Sequence, residues 1–342
     1  MKASVFSAYG DESVMRVEEL PTPVPGEGQV LIRVRAVGVN HVDLDIRAGV
    51  SRIPIEFPHV LGIELAGEIA EIGSGVQGWA VGDRVAPHFQ VSCGACAPCE
   101  RGQQMHCTRL EMFGIQRQGG YAEYVVAEAR SLMPVPDRLS FASAASVQTT
   151  YGTAWHCLVN RGRVRVGETI LVSAAGSGVG TAAVQIGKLM GARVIATAGS
   201  DAKLERALAQ GADAVVNYTT SPIAESVRAL TDGRGVDMVF EHVGGDIFVQ
   251  SASALAIGGR ITVCGGHAGE VVPLDLIELF RTEHEIIGCA RASNEEIATV
   301  LRMAGEGLLD PVIHRTLPLA EAAEAHRILA QREAFGKVVI EP

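Results

Sequence analysis

The sequence predicts an α/β protein in which a β-rich domain accompanies a doubly wound parallel sheet, and three observations carry that expectation. Residues 1 to about 135 run in short apolar–polar stretches broken by proline and glycine. From about residue 168, strand-like and helix-like segments alternate strictly. A glycine-rich turn, "AAGSGVG", lies between the first of those strands and the first helix. With 342 residues the chain is long enough for two domains.

The elements follow in order. "QVLIRVRAVGV" alternates at period two, as a half-buried strand does. "GIELAGEIAEIG", "DRVAPHF" and "GGYAEYVVAEA" read as further strands, with turns such as "PTPVPGEG" between them. "TILVSA" is a strand, and "GSGVGTAAVQIGKLM" is a glycine loop running into a helix. "ARVIATA" and "DAKLERALAQ" repeat that strand–helix step. "AVVNY", "VDMVFEHV", "RITVCG" and "EIIGCA" supply four more strands, with helices near 222–231 and 247–256. Six short apolar strands separated by helices imply a parallel sheet covered on both faces. Two amphipathic helices, "NEEIATVLRMAGEG" and "LAEAAEAHRILAQ", precede a closing strand, "FGKVVIEP".

The charge balance is −10 with no Lys/Arg run, which argues against nucleic acid and anionic membrane as partners. No secretory leader and no run long enough to span a bilayer is legible, so a cytoplasmic protein is expected. In that compartment clustered cysteines bind metal more often than they pair. Four of the seven cysteines, Cys93, Cys96, Cys99 and Cys107, follow the spacing C-x2-C-x2-C-x7-C. Four thiolates close a tetrahedral shell around one structural Zn2+ and leave no open position for substrate. Loosely clustered reduced thiols are the alternative.

The glycine turn is placed where a dinucleotide pyrophosphate sits on a helix N-terminus. Gly176, Gly178 and Gly180 allow a tight turn and close approach, with Ser177 and Val179 between them. Ala175 stands at the first glycine position of the usual G-x-G-x-x-G pattern. An NAD enzyme places Asp or Glu at the end of the second strand, against the ribose 2′-hydroxyl. Here the position is Ala198, followed by Gly199 and Ser200, with Lys203 one turn into the helix. A missing carboxylate with a nearby hydroxyl and cation suits a 2′-phosphate, so NADPH is expected. Asp201 reads as the helix N-cap; a register shift of about three residues would make it the ribose acid instead. Lys203 also reads, more simply, as a solvated helix residue.

With these motifs in place the chain resembles the medium-chain dehydrogenase/reductase superfamily over nearly its whole length. "VNHVDLDIRAG", "PHVLGIELAGEIAEIGSGV", "GDRVAP", the four-cysteine lobe, "AAGSGVGTAAVQIGKLMGARVIATAGS", "GADAVVNY", "GGRITVCGG" and "FGKVVIEP" come in that family's order. The resemblance implies a GroES-like catalytic domain over 1–147, completed by 290–342. A Rossmann NADPH-binding domain over 148–289 would be inserted into it, with the active site in the cleft. The NADPH:quinone oxidoreductase branch looks closest around the cofactor. In that branch a glycine, a lysine four residues on and a later tyrosine hold the adenosine phosphate, which matches Gly199, Lys203 and Tyr218. Gly265 of "CGG" joins the cofactor residues, and the family is commonly dimeric or tetrameric, often through the edge of the Rossmann sheet. The four-cysteine lobe matches the one that holds a structural zinc in many alcohol dehydrogenases.

The pattern breaks at the second, catalytic zinc of those dehydrogenases. Its three usual ligand positions fall on Asn40, on Ile63 and within "SVQTTYGTAW", and none carries a metal-binding side chain of the expected kind. A rearranged site from His41, Asp43, His59 and Glu64 has no metal spacing; Glu64 reads as a carboxylate of the fold and Cys157 as core. Alcohol oxidation needs something to hold an alkoxide, commonly zinc as Lewis acid. Hydride addition to a quinone or an enone makes a delocalised oxyanion that hydrogen-bond donors can meet. The expected activity is therefore NADPH-dependent reduction of a quinone or conjugated C=C bond. Asn40 and Thr153 would line the cleft, Asn40 beside the nicotinamide, with Tyr151 and His41 as candidate proton donors. An enoyl-thioester (acyl-CoA) reductase, with Arg47, Arg52 and Arg117 as a basic entrance, is one alternative. A zinc alcohol dehydrogenase with unusual ligands and a non-catalytic NADPH-binding protein are the others.

Overall fold

The computed structural model describes every residue except Arg52. The chain forms two compact units, 1–149 with 293–342, and 150–292.

The first unit is built on a seven-stranded sheet. Its path runs Leu132–Pro134, Arg84–Pro87, Glu64–Ile72, Gln29–Gly38, Lys337–Glu341 and Ile313–Pro318, and Tyr124–Glu128 also pairs with Gln29–Gly38. Alternation in Gln29–Gly38 holds around Ile32, Arg33 and Val34, but Ala36, Val37 and Gly38 are all buried. That end of the strand is covered on both faces. Phe6, Ile32, Leu65, Ile69 and Tyr121 are among the fully buried side chains of its core. A three-stranded sheet (Arg16–Glu19, Lys2–Phe6, His59–Val60) and a two-stranded ribbon (Gln90–Val91, Glu111–Met112) complete the unit.

The second unit is the doubly wound sheet. Its strands are β1 (Thr169–Val172), β2 (Arg193–Ala198), β3 (Ala214–Asn217), β4 (Val236–Glu241), β5 (Leu255–Val263) and β6 (Glu285–Gly288). They lie in the order β3-β2-β1-β4-β5-β6, every pair parallel. This is the dinucleotide-fold order, with its switch point between β1 and β4. All four residues of β1 are buried, as a central strand covered by helices requires. The helices are α1 (Gly178–Leu189), α2 (Asp201–Ala209), α3 (Ile223–Leu230), α4 (Gly245–Ala252) and α5 (Leu276–Arg281).

One boundary differs from expectation. The helix read near 247–256 ends at Ala252, and β5 begins at Leu255. The apolar run "ALAI" fits helix or strand equally by periodicity. The backbone decides, because the Val236 amide donates to the Ala254 carbonyl and Leu255 pairs with Val236. No described helix is long and apolar enough to cross a membrane.

Candidate functional site

In the first unit three strand ends converge. Gly38 pairs with Glu64 on one side and with Val339 on the other, so Asn40, Glu64 and Lys337 meet just beyond. A Cβ on Gly38 would lie 2.2 Å from the Ala145 carbonyl oxygen and 3.0 Å from Glu64 Oε2, so only glycine permits this approach. The Lys337 ammonium donates to Asn40 Oδ1 (2.7 Å), Glu64 Oε2 (2.9 Å) and the Val39 carbonyl (2.8 Å). Its three donors are thereby used. The Thr149 hydroxyl donates to Glu64 Oε2 and also contacts Asn40 Oδ1 at 2.9 Å, while its amide donates to Glu64 Oε1 (2.9 Å). Asn40 Nδ2 donates to the Gly38 carbonyl (3.0 Å) and to Glu64 (3.3 Å). Glu64 is 0% exposed and Lys337 5%. This is a buried ion pair with its hydrogen-bonding capacity nearly filled.

Asn40 therefore arrives as a locked amide. Its oxygen accepts from the Lys337 ammonium and lies beside the Thr149 hydroxyl, and its N–H groups donate to the Gly38 carbonyl and to Glu64. Lys337 escaped the sequence reading. The only signal was a lysine in an otherwise apolar closing strand, which asks for a buried acceptor.

The other residues weighed for a rearranged metal site are committed elsewhere. Ile63 is a core residue. Asp43 accepts from the amides of Asn40 (2.9 Å) and Gly62 (3.2 Å) and from the Tyr121 hydroxyl (3.3 Å). Burial pushes its carboxyl up to about 6. Arg47 donates to His326 Nδ1 (2.9 Å), so the proton of that ring sits on Nε2 and points to Tyr121 (3.1 Å). Burial, with the Arg47 charge beside it, holds His326 neutral, its pKa down to about 3. His59 Nε2 meets the Gly114 carbonyl at 3.0 Å. His41 is exposed at the first position of helix His41–Ala48.

Two of the three arginines weighed for a basic entrance are engaged within the protein. Arg47 is buried in the network just described, and Arg117 pairs with Glu111 (2.5 Å) and Glu128 (2.7 Å). Arg52 lies outside the described residues.

The four cysteines do assemble. Their sulfurs lie within 4.8 Å of one another, the one such group of metal-binding side chains among the described residues. Cys96 Sγ is 3.4 Å from Cys99 Sγ and 3.8 Å from Cys107 Sγ. A zinc tetrahedron with Zn–S near 2.3 Å has sulfur–sulfur edges of about 3.8 Å. The amides of Cys93 and Arg109 donate to Cys107 Sγ at 3.3 and 3.4 Å. Peptide N–H groups of this kind support thiolates.

In the second unit the glycine turn joins β1 to α1. Ser177 is the N-cap of α1, its hydroxyl accepting from the Gly180 amide (2.9 Å) and lying 2.9 Å from His242 Nε2. Gly176, Gly178 and Val179 surround that cap, so the N-terminus of α1 follows the turn directly. β2 ends at Ala198, with Gly199 and Ser200 following it. A Cβ on Gly199 would stand 2.8 Å from the Tyr218 hydroxyl, so ring and glycine are packed together. Lys203 occupies the first turn of α2. The N-cap of α2 is Ser200 and not Asp201, because Asp201 is already helical and accepts from Asn217 Nδ2 (2.7 Å). Tyr151, read as a proton donor, is 1% exposed, and Thr153 lies half-buried on the same short helix, Tyr151–Trp155. Gly265 follows β5, where a Cβ would meet the His242 carbonyl oxygen at 2.5 Å.

Glu241 and His242, at the end of β4, were not singled out in the sequence. Glu241 is fully buried, accepts from the amides of Val243 (3.0 Å) and Gly244 (2.9 Å), and has its pKa raised by burial. The adjacent Glu and His inside "VFEHV" were the available signal.

Known proteins bear out the frame. Residues 26–137 match the alcohol dehydrogenase GroES-like domain and residues 178–306 the zinc-binding dehydrogenase domain. A human quinone oxidoreductase is 31% identical, covering 98% of this chain and 96% of its own length. An acryloyl-coenzyme A reductase of Sulfurisphaera tokodaii is 30% identical over the full length of both. A crystal structure of an NAD-dependent alcohol dehydrogenase superposes with a TM-score of 0.95 at 44% identity, again over the full length of both.

Proposed function

The chain belongs to the medium-chain dehydrogenase/reductase superfamily and is an oxidoreductase, and from that premise we propose that it uses NADPH to reduce a quinone or the conjugated C=C bond of an α,β-unsaturated carbonyl compound, without a catalytic zinc. The observation that carries this reading is the Asn40–Lys337–Glu64 lock. Where the related dehydrogenases carry zinc ligands, this chain has a fully engaged amide and Ile63. Nothing there can hold an alkoxide on a metal. Bound NADPH supplies the hydride. Asn40 acts as a positioning residue, its plane fixed by Lys337 and Thr149. His41, being exposed, is the better proton donor of the two considered. The relatives named quinone oxidoreductase and acryloyl-coenzyme A reductase support this reaction class.

NAD-linked alcohol oxidation is the second reading, favoured by the 44% identical alcohol dehydrogenase. A panel of quinones, enones, enoyl thioesters and secondary alcohols, run with NADPH, NADH and their oxidised forms, separates the two. Turnover is expected with NADPH and a quinone or enone. Chelator-sensitive oxidation of alcohols would reverse the assignment.

Cofactor choice follows from Ala198, Gly199, Lys203 and Tyr218. NADPH is expected to bind more than tenfold tighter than NADH, a difference above about 1.4 kcal/mol. Lys203→Ala should weaken NADPH and spare NADH; equal affinities in the unaltered protein would count against the phosphate site. The four-cysteine lobe is proposed to hold one structural Zn2+.

We also propose a homodimer through the β6 edge. Leu276 (65%), Ile277 (55%) and Phe280 (66%) of α5 and Val271 (92%) are exposed, and Ile286 of β6 is 42% exposed. A sheet edge flanked by that much bare apolar surface is a recognised association site. Phe280→Glu should halve the mass seen by light scattering; an unaltered protein that is already monomeric would refute the interface.

A further inference from the structure

Four buried polar side chains of the first unit form one chain of hydrogen bonds with a fixed direction. Arg47, Asp43, Tyr121 and His326 are each 5% exposed or less. The Arg47 Nε donates to the Gly10 carbonyl (3.2 Å), and the Gly10 amide donates back to the Arg47 carbonyl (3.0 Å). Arg47 Nη1 donates to His326 Nδ1 (2.9 Å) on the helix Ala322–Ala330. A guanidinium has hydrogens and no acceptor to offer, so Nδ1 accepts and the other ring nitrogen carries the proton. His326 Nε2 therefore donates to the Tyr121 oxygen (3.1 Å), which leaves the hydroxyl proton for Asp43 Oδ2 (3.3 Å). The same carboxyl accepts from the amides of Asn40 (2.9 Å) and Gly62 (3.2 Å). All three of these partners donate to Asp43.

We propose that this chain is an acid-sensitive clamp, in which Arg47, His326 and Tyr121 are positioning residues that keep Asp43 an acceptor and Asp43 ties together the two backbone segments carrying Asn40 and Ile63. A proton on Asp43 would meet a hydrogen from each partner. Turning the Tyr121 hydroxyl toward His326 brings no relief, because Nε2 already bears hydrogen and Arg47 denies the ring its other tautomer. The clamp is closely seated: Gly62 has a φ of 102°, and a Cβ there would stand 2.5 Å from the Tyr121 ring.

The charges that face Asp43 come from several elements. Lys337 acts on it from the closing strand, while Arg47 stands two side chains away, with Glu12 (3.9 Å) and Asp11 beside that guanidinium. Burial outweighs the donors and Lys337, and a carboxyl at about 6 is within reach of mild acid. His326 stays neutral through that range, its own pKa being down to about 3. A network kept only for packing would satisfy the same bonds without having to open near neutrality. The clamp's part in turnover rests on the reading of Asn40 as a positioning residue for the reaction.

The test is residue-resolved amide hydrogen exchange on the full-length protein, read as protection over the intrinsic rate at each pH. Between about pH 7.5 and about pH 5 the Asn40 and Gly62 amides should lose about tenfold in protection, with a midpoint at about 6. Two nearby amides serve as controls and should hold: Val39 donates to the Val338 carbonyl (2.9 Å) and Tyr121 to the Leu61 carbonyl (2.9 Å). Tyr121→Phe should move the midpoint up by about one pH unit, a tenfold gain in proton affinity. Arg47→Met should move it the same way, because the ring can then accept from Tyr121 and Tyr121 from a protonated Asp43. The unaltered protein carries the test if either variant fails to fold. Protection at Asn40 and Gly62 that survives to about pH 5, equal loss at Val39 and Tyr121, or an unmoved midpoint in the folded variants would overturn the clamp. Turnover of a quinone with NADPH is the second arm. A fall in kcat along the same midpoint, with KM for NADPH little changed, supports the clamp and its part in the reaction together. Loss of protection with flat turnover supports the clamp and counts against the role given to Asn40.

Discussion

Replacing Lys337 by methionine is expected to lower the unfolding free energy by about 3–5 kcal/mol, the usual consequence of removing one partner from a buried ion pair. Glu64, fully buried, would lose its cationic partner and keep only neutral donors from Thr149 and Asn40. Val39 and Asn40 would lose a donor as well. For a unit of this size the loss corresponds to a fall in melting temperature of about 6–20 °C. The double variant Lys337→Met/Glu64→Gln should recover much of it, since no lone charge is left buried. Calorimetry on the two single variants and the double decides the matter. Strictly additive losses would mean that the pair is not coupled and that the lock on Asn40 is weaker than its geometry implies.

The second large effect belongs to the cysteine lobe. Elemental analysis is expected to find one zinc per chain, and Cys96→Ser to abolish it. Because the ligand set exists only in the folded lobe, metal binding is folding free energy there. The variant should therefore lose solubility or several degrees of thermal stability. The fraction that folds should keep its affinity for NADPH, because all four ligands belong to the first unit and the glycine turn to the second. Two zincs per chain, or loss of turnover on chelation with structure intact, would expose a catalytic metal.

What the sequence made legible was local or periodic. Strand–helix alternation predicted the six parallel strands, and their order came out as that of a dinucleotide fold. Cysteine spacing over fifteen residues predicted a lobe whose sulfurs do converge. What stayed hidden depends on contacts between residues far apart in the chain. Lys337 meets Glu64 across 273 positions, and Arg47 meets His326 across 279. No spacing rule connects such pairs. For the same reason nothing in the sequence around Asn40 showed that Lys337 takes its oxygen. Cys157 was read as core on the evidence of its apolar neighbours, and it is fully buried.

The strand Lys337–Glu341 lies beside Gln29–Gly38 in the sheet of the first unit, with the whole of 150–292 between them in sequence. On a ribosome this imposes a schedule. At about 5–20 residues per second, Glu64 emerges roughly 14–55 s before Lys337. Through that interval the first unit has neither its closing strand nor the cation for its buried carboxylate. The second unit is contiguous and has every strand of its sheet in hand by Gly288, roughly 2–10 s before Lys337 emerges. Synthesis should therefore yield a nascent chain with a finished nucleotide fold and an unfinished partner that needs shielding from aggregation, and its yield should depend on holdase chaperones more than its final stability suggests.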